Sequence, residues 1–381
     1  MYYKEIIRDK FGKELQLRKC HKGELGSIID IANRCFIADR SPDFTFINSV
    51  PHIYNNDIHD YSDIHFVVET DWQIVALGGN LISELNFDNK KYRFARVGTV
   101  GTLVNYRNRG YMRKIMSIIE QEDKNDDVVF SVLIGDKNIY NRYGYNGSCL
   151  SLKFFFNKFQ LDHLKRKKGM IIRKYNNDDM EKIYQLYLNN QSLVLRNKEE
   201  FILHLNNNTN DLYVIIFNGE TIGYYSIKNN MIMELVVNDA SLVESCISNI
   251  LLNVDYERIV VYASMLNYDV NAQLEKISIY KEEYKKLCIK VYDLKRFIEI
   301  LYNLNKIKIK GTIEEVYKIN NYGYEFVIND KGLSIQESNK KANKYFENEE
   351  NFLDFVLGAS NDNTNSKIFP LYFDLSMADK F

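Results

Sequence analysis

One stretch constrains the fold of this chain more than any other. Tyr92–Val104, an apolar strand-like run, empties into the polar, basic sequence Asn105-Tyr106-Arg107-Asn108-Arg109-Gly110. An amphipathic helix follows, with Met112, Ile115, Met116 and Ile119 at i, i+3, i+4 and i+7. Val128–Ile134 comes next, a continuous apolar run that reads as a strand buried on both faces. A strand, a basic turn, a helix and a buried strand thus follow one another in that order.

The elements around this stretch follow from the same periodicities. Leu15–Arg18 reads as a short strand, and Glu24 to Phe36 as a helix. Ser41–Tyr61 carries two prolines, two histidines and several Asn/Asp, and reads as a long surface segment. Ile64–Glu69 and Gln73–Ser83 are strand-like, and Cys149–Phe156 is a further strand. Beyond Gly169 a second unit opens with the strand Met170–Lys174 and two helices, Asp178–Leu188 and Lys198–Leu205. A meander then runs through Leu212–Phe217, Thr221–Ile227 and Met231–Val237, with Asn218-Gly219 and Asn229-Asn230 as its turns. Asn238-Asp239 caps a helix to about Leu252, and Arg258–Ala263 is a strand. This order repeats that of the first unit without repeating its sequence. A third unit starts near Lys286, with helices at Asp293–Tyr302 and Glu349–Leu357. Its last strand is expected where Phe369, Leu371, Phe373 and Leu375 alternate.

Composition narrows the function. With 50 Lys+Arg against 51 Asp+Glu, the net charge of -1 gives no global field for nucleic acid or an anionic membrane. No uncharged run reaches the roughly 18 residues that span a bilayer, and the first residues lack an apolar leader, so a cytoplasmic protein is expected. Five scattered cysteines without a CxxC pair argue against a disulfide framework and a cysteine zinc site. The six histidines show no ligand spacing, and no metal is expected. His52 and His59 could border a cleft or be solvated loop residues.

Chemistry concentrates at the basic turn. Free N–H groups at a helix N-terminus, with Arg107, Arg109 and Arg113 close by, make an anion site. Gly110 lets the backbone approach a pyrophosphate. The alternative is a solvated basic turn. No Gly-Lys-Ser/Thr follows, and GxGxxG spacing is missing, so neither a Walker A loop nor a dinucleotide fingerprint is present.

Arg107-x-x-Gly110-x-Met112, preceded by Val100-Gly101-Thr102, resembles the acetyl-CoA signature of the GNAT N-acetyltransferases. Ile139-Tyr140-Asn141-Arg142-Tyr143-Gly144-Tyr145 resembles their tyrosine-bearing helix. Length and three-unit order make the whole chain similar to the Eis (enhanced intracellular survival) family. Met112 departs from the small residue many GNAT enzymes have there.

The resemblance implies an α+β (mixed α/β) chain of two tandem GNAT domains, 1–157 and a degenerate 158–285, then a sterol-carrier-protein-like domain, 286–381. It implies that Val100, Gly101 and Thr102 hold the pantetheine arm and acetyl carbonyl of acetyl-CoA. Arg107 and the loop Asn108, Arg109, Gly110, Tyr111, Met112 and Arg113 would wrap the pyrophosphate, and Gly135 and Asp136 would line the thioester end. Tyr140 takes the place of the general acid, and the terminal carboxylate of Phe381 that of the general base. The acceptor would be a small-molecule or lysine-like primary amine, and the assembly a homo-oligomer, a hexamer in that family. After Met231–Val237 the second unit has Asn238-Asp239-Ala240-Ser241, with neither arginine nor glycine, so one acetyl-CoA per chain is expected. A reading from another class is a binding or sensing protein that uses the last domain for an apolar ligand.

Overall fold

The computed structural model describes residues 3–37, 44–55, 59–70, 72–87, 90–190, 196–207, 209–306, 309, 311–360 and 366–373. The chain divides into two compact units, Met1–Asn146 with Leu287–Ile300, and Gly147–Lys286 with Leu301–Lys380.

In the first unit the elements run β1 (Lys4–Arg8), β2 (Glu14–Lys19), α1 (Leu25–Phe36), α2 (Phe46–Ser49), α3 (Pro51–Tyr54), β3 (His65–Thr70), β4 (Gln73–Phe87), β5 (Lys90–Thr102), α4 (Tyr111–Asn125), β6 (Val128–Leu133) and α5 (Lys137–Tyr140). The sheet order is β1-β2-β3-β4-β5-β6. Neighbours are antiparallel except β5 and β6, which are parallel. Cys288–Val291 of a later strand closes the far side of β6 antiparallel. All six residues of β6 are buried, as its unbroken apolar sequence requires. Ile115, Met116, Ile118 and Ile119 of α4 are buried. Gly78 lets that helix close on β4, since a β-carbon there would stand 2.6 Å from Ile115 Cγ2.

Residues 44–55 are not a surface segment. Thr45 caps α2, Pro51 occupies the first turn of α3, and Phe46, Val50, Ile53 and Tyr54 are core residues. His52 is buried rather than solvated. The polar composition of the stretch concealed an apolar set that needs two short helices to reach the core.

The second unit holds β7 (Gly147–Asn157), β8 (Met170–Lys174), α6 (Met180–Leu188), α7 (Lys198–Leu205), β9 (Asp211–Phe217), β10 (Glu220–Lys228), β11 (Met231–Val237), α8 (Val243–Asn253), β12 (Arg258–Ala263) and α9 (Tyr268–Ile277). The strand order is β7-β12-β11-β10-β9-β8. Asn218 and Gly219 both have positive φ (51° and 84°), the geometry an Asn-Gly hairpin turn demands. β13 (Tyr280–Val291) and α10 (Leu294–Asn305) follow, and the 285/286 boundary expected from the sequence falls within β13. The sequence reading contained neither α9 nor β13.

A separate four-stranded sheet, in the order β16-β15-β14-β17, is built from β14 (Ile313–Ile319), β15 (Tyr322–Asn329), β16 (Gly332–Glu337) and β17 (Lys344–Phe346). It is accompanied by α11 (Glu349–Val356), whose Phe352 and Phe355 ring-pack with Tyr317, Phe346 and Phe369. The expected strand at 369–375 is not formed among its described residues. Ile368, Phe369, Leu371 and Phe373 are buried, but their backbone is satisfied outside any ladder. Phe369 N–H donates to Ser366 Oγ, Leu371 N–H to the Val356 carbonyl and Tyr372 N–H to Asn305 Oδ1. Pro370 has no N–H to give. Leu375 and Phe381 lie outside the described residues.

Candidate active site

The site begins where β5 and β6 part. Their parallel ladder ends at Val97↔Leu133. On its other edge β5 stays paired with β4, but two residues, Thr99 and Val100, oppose Gly78 between the pairs Gly79↔Gly98 and Leu77↔Gly101. That bulge bends β5, and Thr99 sits there at φ 52°. Gly98–Thr102 thus leaves β6 while the β6 chain turns away into α5, opening a slot lined by the backbone of Val100, Gly101 and Thr102. Gly101 has no room for a side chain, since a β-carbon would stand 2.9 Å from Cys35 Cβ and 3.1 Å from Phe36 Cε2.

The loop after β5 delivers a bare helix end. Asn108 and Gly110 take positive φ (63° and 88°), and Gly110 is the N-cap of α4 with no side-chain cap. The first N–H groups of α4 therefore have no partner within the helix. Nothing lies within 4 Å of a β-carbon added to Gly110. The dipole and these donors favour an anion.

The arginines divide their labour. Arg107 donates to the carbonyls of Thr102 (3.3 Å) and Cys35 (3.2 Å), bracing the loop against β5 and α1. Arg109 lies over the rings of Tyr106 (5.2 Å) and Phe11 (5.7 Å), with Asp9 at 3.6 Å. Arg113 is exposed and makes no ion pair among the described residues. Tyr111 is buried and donates its hydroxyl to Asp9 (3.3 Å). Asp9 escaped the sequence reading. Its burial raises the carboxyl pKa, but N–H donors from Lys13 and Phe11, with Tyr111 and Arg109, outweigh that and hold it low. The turn Asp9-Lys10-Phe11-Gly12 was its only local signal, and nothing in it points to residue 109.

After β6, α5 carries Tyr140 at its end. Asp136 caps this single turn by accepting from Asn138 N–H (2.9 Å). Gly135 lies against the Tyr140 ring, so close that a β-carbon would stand 2.4 Å from Cε2. Burial, with lesser contributions from Cys288 and Tyr143, pushes the Tyr140 pKa up to about 12. Its phenol is protonated at neutral pH. Among the described residues its hydroxyl has no hydrogen-bond partner.

A second feature the sequence did not show lies behind the bulge. Tyr54 of α3 hydrogen-bonds both Thr99 Oγ1 and His65 Nε2 (3.0 Å), and all three residues are buried. No spacing rule connects positions 54, 65 and 99.

The described residues contain no group of three or more His, Cys, Asp or Glu that could hold a metal, and no helix long and apolar enough to cross a membrane. All five cysteines are buried thiols.

Residues 16–147 match the acetyltransferase (GNAT) domain family. No curated protein matches the sequence. Among solved structures, a GCN5-related N-acetyltransferase from Kribbella flavida superposes with TM-score 0.64 at 12% identity, covering 98% of this chain and 99% of its own. Eis1 from Mycobacterium abscessus gives 0.60 at 10% identity over 91% and 90%. A GCN5-related N-acetyltransferase from Anabaena variabilis gives 0.60 at 13% over 86% of each chain. These likenesses establish the mixed α/β fold. The family match makes 16–147 an acetyltransferase domain of the GNAT type, and its enzyme class is a transferase.

Proposed function

We propose that this chain transfers an acetyl group from acetyl-CoA to a primary amine, one acetyl-CoA per chain, at the slot between β5 and β6. The observation that carries the reading is the uncapped, glycine-started end of α4, which follows a β5 strand whose ladder with β6 ends early. The residues fit the co-substrate. The α4 N–H groups and Arg113 suit the pyrophosphate, and Arg107 and Arg109 hold the loop in shape. The backbone of Val100–Thr102 suits the amide-rich pantetheine arm.

In the reaction the amine nitrogen attacks the thioester carbon, the carbon–sulfur bond breaks, and one proton passes from nitrogen to sulfur overall. We assign Tyr140 to the sulfur's side of that exchange. A phenol near 12 against a thiol near 8.5 makes complete transfer from tyrosine uphill by roughly 5 kcal/mol. Its contribution is therefore a hydrogen bond that strengthens as charge develops on sulfur, while the proton the thiol finally takes is the one the amine loses to the base. The base we assign to the carboxylate of Phe381, on the resemblance to the Eis family. That same resemblance carries the tandem-GNAT and sterol-carrier-like arrangement, the oligomer and the cytoplasmic location.

The test is thiol release from acetyl-CoA against a panel of aminoglycoside-like and lysine-like amines, with calorimetry of acetyl-CoA alone. No heat and no acceptor would return the chain to a binding role. Deleting Phe381, or extending the chain so that its carboxylate becomes an amide, should cut transfer while acetyl-CoA still binds. Full activity in the extended protein removes Phe381 from the mechanism. The apolar-ligand reading gains nothing from the last sheet, where the rings of Tyr317, Phe326, Phe346, Phe352, Phe355 and Phe369 pack on one another.

A further inference from the structure

Thr99 is an anomaly of the first unit. It is β-branched, it lies within a strand, and its φ of 52° is in the left-handed region that such residues avoid. Conformations of this kind persist only where the surroundings over-determine them, and they gather at functional sites. Here the surroundings are two side chains from other elements.

Donor and acceptor roles in the cluster follow from the geometry. His65 Nδ1 faces the carbonyls of Tyr61 (3.0 Å) and Ser62 (3.3 Å), so it must carry the ring proton. Burial pushes the imidazole pKa down to about 4, which keeps the ring neutral and leaves Nε2 as an acceptor. Tyr54 therefore donates to His65, and its oxygen is left to accept from the Thr99 hydroxyl. The three bonds run one way: Thr99 to Tyr54, Tyr54 to His65, His65 to the 61–62 carbonyls. No member can reverse its role without leaving a buried group unpaired. Tyr54 is fixed besides by its ring contact with Phe46 (5.3 Å).

We propose that Tyr54, oriented by His65, is a positioning residue for acyl transfer: its hydrogen bond to Thr99 pins the left-handed bulge that turns Val100–Thr102 away from β6, and so sets the slot that receives the acyl-CoA arm. The proposal rests on the acyl-CoA reading above. None of the three side chains need touch substrate. The Thr99 hydroxyl proton is committed inward, so Thr99 acts through the backbone it holds.

The experiment uses the full chain and acetyl-CoA as the probe, with Kd from calorimetry and the melting temperature recorded beside it. Tyr54→Phe removes only the hydroxyl, and Thr99→Val only the other end of the same bond. Each should weaken acetyl-CoA binding by about tenfold, the worth of one net hydrogen bond. The double variant should lose no more than either single one. Tyr54→Phe combined with Thr99→Gly should recover most of the loss, because glycine holds a positive φ without a clamp. Packing alone would lower the melting temperature without moving Kd and would not be rescued by glycine. Parent-like Kd in both single variants, or additive losses in their double, overturns the proposal. Should Tyr54→Phe fail to fold, Thr99→Val and the glycine rescue decide the same question. A parent chain that gives no heat with acetyl-CoA overturns the acyl-CoA reading and the clamp together.

Discussion

Gly135 gives the most direct access to the proposed acid. A β-carbon there would stand 2.4 Å from Cε2 and 2.8 Å from Cδ2 of Tyr140, and 3.1 Å from Leu133 Cδ1. Carbon atoms rest comfortably at roughly 3.5 Å, so Gly135→Ala must drive the ring away by about 1 Å. The ring cannot simply carry its helix along. α5 is a single turn, closed by Tyr140 N–H to the Asp136 carbonyl (3.1 Å) and followed at once by a second turn ending at Gly144. The displacement therefore appears at the phenol. A misplacement of about 1 Å costs on the order of 10²-fold in rate, or about 2.7 kcal/mol of barrier. The assay is thiol release at saturating acetyl-CoA and acceptor, where kcat should fall by about that factor while acetyl-CoA affinity, set at the α4 end, stays near the parent's. Combining Gly135→Ala with Tyr140→Phe separates this account from general damage. Once the hydroxyl is gone its position no longer matters, and the added methyl should cost little more. A parent-like kcat in Gly135→Ala, or a full multiplicative loss in the double variant, would refute the placement of Tyr140 at the leaving group.

Tyr140→Phe alone should lower kcat by roughly 10²–10³-fold with acetyl-CoA affinity nearly intact, checked by turnover and calorimetry. Gly110→Glu should abolish acetyl-CoA binding, because a side chain at φ 88° is strained and a carboxylate there meets phosphate; retained affinity would move the anion site elsewhere. Asp123 tests the interior electrostatics of the first unit. It is fully buried between Asn80 and Tyr292, which both donate to it (2.8 Å each), and burial pushes its pKa up to about 6. A raised acid holds its proton more tightly in the folded than in the unfolded state, so its effect is to lower stability as pH rises from about 4 to 6. Asp123→Asn keeps the Asn80 bond at its oxygen and turns its N–H₂ to the Tyr292 oxygen, which must then accept; it should gain up to about 3 kcal/mol on the parent across that window in denaturant melts, and little below it.

How far the sequence reaches depends on whether the deciding contact is local. The β5–loop–α4–β6 passage was legible because its apolar pattern changes from a strand run to a 3.6-residue stripe and then to an unbroken buried strand. The Asn218-Gly219 turn was legible because few other pairs accept two positive φ values. β1 was not, since only Ile7 of its five residues is buried and the rest are charged or exposed. β13 begins Tyr280-Lys281-Glu282-Glu283, a charged sequence without alternation, and its Cys288–Val291 pairs with a strand some 150 residues earlier. Arg109–Asp9 and Tyr54–Thr99 are of the same kind. Their partners are 100 and 45 residues apart, and each residue alone has an ordinary local explanation.

The second unit shows what the anion loop adds to the sheet geometry. There too a parallel pair ends early, at Ile232↔Val261, leaving Met233–Val237 of β11 unpaired on that edge. Counting from the last parallel pair, Glu234 stands where Thr99 stands after Val97. The buried polar partner is again present but of another kind: Arg196 makes two bonds to Glu234 (3.1 and 2.8 Å), and Tyr224 donates a third (2.9 Å). A buried ion pair broken on one side leaves an uncompensated charge, so Glu234 is held more firmly than any hydroxyl could be. What is lost is the bare helix end. Asp239 accepts from Ser241 N–H (2.8 Å), filling with its own carboxylate the place an incoming phosphate would need. The parted strands belong to the sheet, and they survive in both units. The glycine-started helix belongs to the loop, and only the first unit has it. The proposal of one acetyl-CoA per chain rests on that difference, and calorimetry of the full chain should give a stoichiometry of one that Gly110→Glu takes to zero.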